Sequence, residues 1–181
     1  QGFGAHVVLE GDTLEESKAH ADMLAATEGL TFIHPYDDDD IMAGQGTAAL
    51  EMLTDYPEID TLIVPIGGGG LISGCAIAAK GLNPDIKIVG VEAALYPSMQ
   101  RALEGGEQVI GGQTIADGIA VKAVGHRAVD IAREHVSHIV SVTEAQIEEA
   151  IVLYMEIEKT VAEGAGATPL AALIAHPEMF T

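Results

Sequence analysis

The stretch Thr61-Leu-Ile-Val-Pro-Ile-Gly67-Gly-Gly-Gly70-Leu-Ile-Ser-Gly-Cys-Ala-Ile-Ala-Ala-Lys80 decides how this chain is read. A short apolar run bounded by glycine reads as a buried strand, and the alanine-rich continuation reads as a helix. Between them lie four residues without a Cβ. Such a loop can turn sharply, approach a ligand closely and aim its N–H groups at an anion lying at the N-terminus of the next helix. The same glycines could serve only as a tight strand-to-helix turn, although a turn usually needs one or two. The loop lacks the Gly-Lys-Ser/Thr ending of a triphosphate site and the spacing of a dinucleotide site, so a small monophosphate suits it better.

Outward from the loop, strand-like and helix-like stretches alternate. His6-Val-Val-Leu9 reads as a strand, and Thr13 to Glu28 as a helix opened by a capping box of Thr13 with Glu16 and stopped at Gly29. Thr31 to His34 is a further strand candidate, followed by a helix from about Gly46 to Leu53 and the Leu62 to Val64 strand that feeds the loop. Ile86 to Val91 reads as a strand and Tyr96 to Leu103 as a helix. After the glycines at 111 and 112 come a helix from His126 to Glu134 and a strand from His138 to Val142. Thr143 with Gln146 forms a second capping box, opening a helix expected to run to about Val161, and a last helix is expected from Pro169 to Ala175. This alternation predicts an α/β fold, a mostly parallel sheet with helices on both faces. Ligands in such sheets bind beyond the carboxyl ends of the strands, where Gly67 to Gly70 fall.

The 181 residues are 48% hydrophobic, enough for a sizeable core. Twenty-eight acidic side chains against eight basic ones leave a net charge of −20, which argues against nucleic acid and anionic membranes as partners. A small phosphorylated ligand remains compatible, because local backbone dipoles at a helix end outweigh a screened mean field. The single cysteine, Cys75, excludes an internal disulfide and reads as a small buried hydrophobe, which fits a reducing cytoplasm. No apolar run reaches membrane-spanning length. The acidic run Asp37 to Asp40 reads as a solvated loop and helix N-cap rather than a calcium site, since EF-hand spacing is absent. His135 and His138 lack the spacing of a zinc helix motif. A start at Gln1 rather than methionine points to processing or to a piece of a longer protein.

Several blocks in order carry a more specific signal: Gly4-Ala-His-Val-Val-Leu9, Phe32-Ile-His-Pro-Tyr-Asp37, Gly44-Gln-Gly-Thr47, Val64 to Gly74, Val89-Gly-Val-Glu92, Thr114 to Val121 and Ala162-Glu-Gly-Ala-Gly-Ala167. Together they resemble the threonine dehydratase (threonine ammonia-lyase) and serine racemase group of fold type II pyridoxal-phosphate enzymes, over essentially the whole chain. The resemblance implies a fold like that of the tryptophan synthase β subunit, here incomplete. Residues 1–30 would be a remnant of the small domain and 31–181 the main part of the large one.

The resemblance also implies pyridoxal phosphate as cofactor, with Gly67, Gly68, Gly69, Gly70 and the Leu71 amide on its phosphate and Gly118 against the pyridine ring. Glu163 would lie close to the cofactor. On their residues alone, Gly118 could serve a loop and Glu163 an exposed helix end. The family's Ser-x-Lys motif, which forms the Schiff base, its Ser-x-Gly-Asn substrate loop and its Ser-Gly-Gly-Asn segment do not occur here. Lys18, Lys80, Lys87, Lys122 and Lys159 all stand in other contexts. No catalytic residue is therefore assigned within the chain. Some relatives hold a divalent cation through a glutamate and a nearby aspartate; Glu92 occupies the first position but Ser98 the second, so no metal is expected. The implied activity is conversion of threonine or serine to a 2-keto acid and ammonia by a cytoplasmic homo-oligomer. The alternative is a non-catalytic, self-associating piece that keeps at most affinity for phosphate or pyridoxal phosphate.

Overall fold

A computed structural model describes residues 2–105 and 110–180. The chain divides into two compact units, one ending at His34 and the other beginning at Pro35.

The first unit contains helix α1, Leu14–Glu28. Its start is the expected capping box: Glu16 N–H donates to Thr13 Oγ1 at 3.2 Å, and Thr13 N–H donates to Glu16 Oε2 at 3.3 Å. Gly29 ends the helix in the left-handed region at φ 68°, where a Cβ would be strained. His6 to Leu9 and Thr31 to His34, expected as strands, are irregular instead. A strand needs a hydrogen-bonded neighbour, and neither segment has one among the described residues. Leu9 is accordingly 90% exposed.

The second unit is built on three parallel strands in the order β1, β2, β3, which are Thr61–Pro65, Lys87–Ala93 and His138–Val142. Leu62 pairs with Ile88, and Val91 with Val140. The side-chain period of two sends alternate residues to opposite faces. Leu62, Val64, Ile88 and Ile139 pack with helices α2 (Asp39–Asp55), α3 (Gly70–Leu82) and α5 (His126–His135). Ile63, Val91, Ala93, Val140 and Val142 pack instead with α6 (Glu144–Leu153) and α7 (Gly164–Ala175). The central strand β2 is buried along almost its whole length, as a strand covered on both faces must be. Helix α4, Ser98–Glu104, follows β2.

Three helices differ from their expected extents by more than two residues at one end. Helix α2 begins at Asp39 rather than near Gly46, because the Asp38 side chain caps it by accepting from Asp40 and Ile41 N–H. Its internal glycines look like breakers in the sequence, yet Gly46 lies where a Cβ would stand 2.8 Å from the Gly74 carbonyl of α3. Helix α6 ends at Leu153 and passes into one wide π turn, Tyr154–Glu158, closed by Lys159 at φ 55°. Helix α7 starts at Gly164, before Pro169. Proline has no N–H for the Ala165 carbonyl, and the Thr168 hydroxyl donates to that oxygen at 2.8 Å in its place.

Candidate functional site

Strand β1 delivers the four glycines to the carboxyl end of the sheet, and α3 begins at the last of them. Gly69 is the N-cap at φ 97°, a conformation natural only to glycine, and no side chain caps the helix. None of the amides from Gly67 through Leu71 has a hydrogen-bond partner among the described residues. Unpartnered donors at a helix start converge with the positive end of its dipole, an arrangement that attracts an anion.

The rear of the loop is closely packed. A Cβ on Gly68 would meet the Tyr36 ring, one on Gly69 would stand 2.4 Å from the Ala128 methyl, and one on Gly70 would stand 2.8 Å from the Tyr36 carbonyl. The Gly68 carbonyl accepts from Gly125 N–H at 2.9 Å, and the Gly69 carbonyl accepts from both the amide and the hydroxyl of Ser73. The carbonyls of Gly68 and Gly69 are thus engaged by protein while the amides remain available to a ligand. Fixed donors with no protein acceptor suit a phosphate group.

Gly118 and Glu163 come to the same place from two other segments. The position of a Cβ on Gly67 lies 3.5 Å from the Gly118 carbonyl, and that of a Cβ on Gly118 lies 3.4 Å from Glu163 Oε1. Gly118 is held in a 3-10 turn, Asp117–Ile119. Its approach is anchored where Glu144 Oε2, at the start of α6, accepts from Ile115 N–H at 2.8 Å. Glu163, the N-cap of α7, is exposed and makes no side-chain cap of its own. A Cβ on Gly118 would also stand 3.3 Å from the Ala165 methyl, so Gly118, Ala165 and Glu163 pack closely beside the glycine loop.

The segment Tyr36 to Asp39 was invisible as part of this site in the sequence. Its aspartates do form a helix cap, but Asp37 reaches 89 residues onward to accept from His126 N–H at 3.1 Å. Only a sheet that returns α5 beside the loop makes the two neighbours.

Glu92 does not fit a divalent cation. Its carboxylate is fully buried and accepts from Met99 N–H at 2.6 Å and Gln100 N–H at 3.1 Å, capping α4. The Ser98 hydroxyl donates to the Val121 carbonyl. Burial pushes the Glu92 carboxyl up from its ordinary 4.5 to about 7, in spite of the lowering by these amides. A buried carboxylate whose two oxygens already accept from the amides at the start of α4, with no second acidic side chain at Ser98, has little to offer a hard cation. Cys75 is buried, as expected, and burial raises its thiol.

Residues 1–180 match the model of a family described as pyridoxal-phosphate dependent enzyme. The chain belongs to that family. An L-threonine ammonia-lyase of Thermotoga maritima is 42% identical over 176 residues, which cover 96% of this chain and 44% of the relative. A crystal structure of T.th. threonine deaminase superimposes with a TM-score of 0.90 at 37% identity, over 98% of this chain and 60% of that one. Serine racemase from Dictyostelium discoideum gives a TM-score of 0.85 at 38% identity, over 96% of this chain and 56% of that one. These matches place the chain in the threonine dehydratase and serine racemase group with a fold type II architecture, and pyridoxal phosphate is the cofactor of its family. The chain spans about half the length of the curated relatives it matches.

Proposed function

We propose that this chain carries the cofactor-phosphate site of an ammonia-lyase acting on L-threonine or L-serine. The observation behind this reading is the row of unpartnered amides from Gly67 to Leu71 at the start of α3, with Gly118 and Glu163 beside it. The five amides would hold the phosphate of pyridoxal phosphate against the helix dipole. Gly118 would let the flat ring approach the backbone, and the exposed Glu163 carboxylate would face the same space. Bound there, the cofactor supplies an electron sink for loss of the α-proton and β-hydroxyl of the amino acid, which ends in a 2-keto acid and ammonia.

Three of the five lysines have partners of their own. Lys18 pairs with Asp22, while Lys80 and Lys159 donate to the carbonyls of Pro84 and Glu156. Positioned proton transfer from the α-carbon needs a base within hydrogen-bond reach, so the chain by itself is expected to bind cofactor without turning over substrate. We read residues 1–30 as a remnant of the small domain and 31–181 as the main part of the large one, in a cytoplasmic homo-oligomer. No helix among the described residues is long and apolar enough to cross a membrane. Self-association is favoured by sheet edges at β1 and β3 and by exposed apolar residues such as Ile157 and Val161, 66% and 84% exposed.

The test is an absorbance titration with pyridoxal phosphate beside a keto-acid assay with L-threonine. Saturable binding that is lost in Gly69→Val supports the site, and equal binding by the variant places the phosphate elsewhere. Sustained keto-acid release that disappears on changing one of the five lysines would show that a lysine of this chain does the chemistry after all.

A further inference from the structure

The geometry points to Asp37 as a positioning residue for the anion cradle, acting through α5 on the peptide between Gly68 and Gly69. The inference rests on the phosphate reading of the glycine loop and names a residue that sets its donor geometry.

The N-cap of helix α5 is Gly125, which has no side chain with which to cap it. Asp37 supplies the cap from outside. Its two carboxylate oxygens accept from His126 N–H at 3.1 Å and Arg127 N–H at 3.2 Å. A Cβ on Gly125 would stand 2.4 Å from Asp37 Oδ1, so the glycine is the room into which the carboxylate fits. The next donor toward the N-terminus, Gly125 N–H, is thereby aimed at the Gly68 carbonyl, which it meets at 2.9 Å. A trans peptide is planar, with its C=O and N–H pointing in opposite directions. Pinning the Gly68 carbonyl toward α5 therefore turns the Gly69 N–H the other way, to the side where the loop amides are unpartnered.

Tyr36 fixes the same relationship from the neighbouring position. Its hydroxyl donates to the Ala123 carbonyl at 3.1 Å, and its ring and backbone back onto Gly68 and Gly70. The Tyr36-Asp37 pair thus ties the loop and the start of α5 into one frame, and glycine flexibility is removed where a ligand needs fixed donors.

The experiment compares Asp37→Ala and Asp37→Asn with Asp38→Ala, which removes the side-chain cap of α2 instead of that of α5. Three quantities are measured on the whole chain: affinity for pyridoxal phosphate, the phosphorus resonance of the bound phosphate, and the Gly69 amide resonance without ligand. Asp37→Ala, which removes both carboxylate hydrogen bonds to the start of α5, is expected to weaken binding about tenfold and to shift both resonances. Asp37→Asn, which keeps an acceptor, should fall between Asp37→Ala and the parent, and it decides the matter if Asp37→Ala does not fold. Asp38→Ala should lower the melting temperature while leaving affinity within about twofold. Equal loss of affinity in the Asp37 and Asp38 variants, or an unmoved Gly69 amide, overturns the inference. Should the parent bind no pyridoxal phosphate, the phosphate reading fails, while the Gly69 amide in the unliganded variants still decides the role of Asp37.

Discussion

A Cβ placed on Gly68 would lie 2.3 Å from Cγ of Tyr36, so the glycine and the ring share one volume. Gly68→Ala should destabilise the chain by about 2 kcal/mol or more, since the ring is also tied through its hydroxyl. Trimming Tyr36 to alanine in the same chain should recover part of that loss. A double-mutant cycle by urea unfolding measures the coupling, and additive costs would show that the two residues do not compete for space.

Gly164 and Gly166 offer a matched pair on α7. A Cβ on Gly164 would stand 2.2 Å from the Ile115 carbonyl, whereas one on Gly166 meets nothing closer than 3.8 Å. Gly164→Ala should cost about 2 to 3 kcal/mol and disturb the approach to Gly118. Gly166→Ala should raise stability by about 0.5 to 1 kcal/mol, the ordinary gain for alanine over glycine in a helix. Thermal melts of the two variants separate the effects, and similar melts would contradict the crowding at Gly164.

The buried Glu92 carboxyl should make stability depend on pH in a defined window. Its value rises from 4.5 unfolded to about 7 folded, so the folded state holds the proton more tightly. Its contribution is most favourable below 4.5 and is lost as pH rises through 7. Glu92→Gln does not titrate. Its stability relative to the parent should therefore climb by about 3 kcal/mol between those limits and level off above them. Urea unfolding at a series of pH values checks this, and a constant difference would mean that Glu92 titrates alike in both states.

Burial of Cys75, whose thiol is raised above its ordinary 9.0, predicts slow alkylation in the native chain. Iodoacetamide should modify it at less than about a tenth of the rate seen in urea. Equal rates under both conditions would show that the helix start opens readily.

Much of the geometry of this candidate site could be read from local sequence, because a strand, a glycine turn and a helix start are local features. Four adjacent glycines between an apolar strand and a helix need only their own spacing, and both capping boxes, at Thr13 and Thr143, appear as read. The strands at His6 and Thr31 failed for the opposite reason: apolar composition proposes a strand, but a partner must accept it. The early starts of α2 and α7 were hidden by Gly46 and Pro169, residues that normally interrupt helices. Their tolerance comes from Gly74 across the helix interface and from the Thr168 hydroxyl, respectively. Asp37 was legible as an acidic residue near a cap and not as a cap for α5, whose start lies 89 residues away.

The crossing of α2 and α3 has a mechanical consequence. Gly46 and Gly74 meet backbone to backbone, and a Cβ on Gly74 would stand 2.1 Å from the Met42 carbonyl. Side-chain interfaces adjust by changing rotamers, but this contact contains no rotamer to change. The helix that opens at the glycine loop is therefore keyed to α2 like two spars bolted together, the bolt lying where Gly74, about one turn into α3, meets Gly46 near the middle of α2.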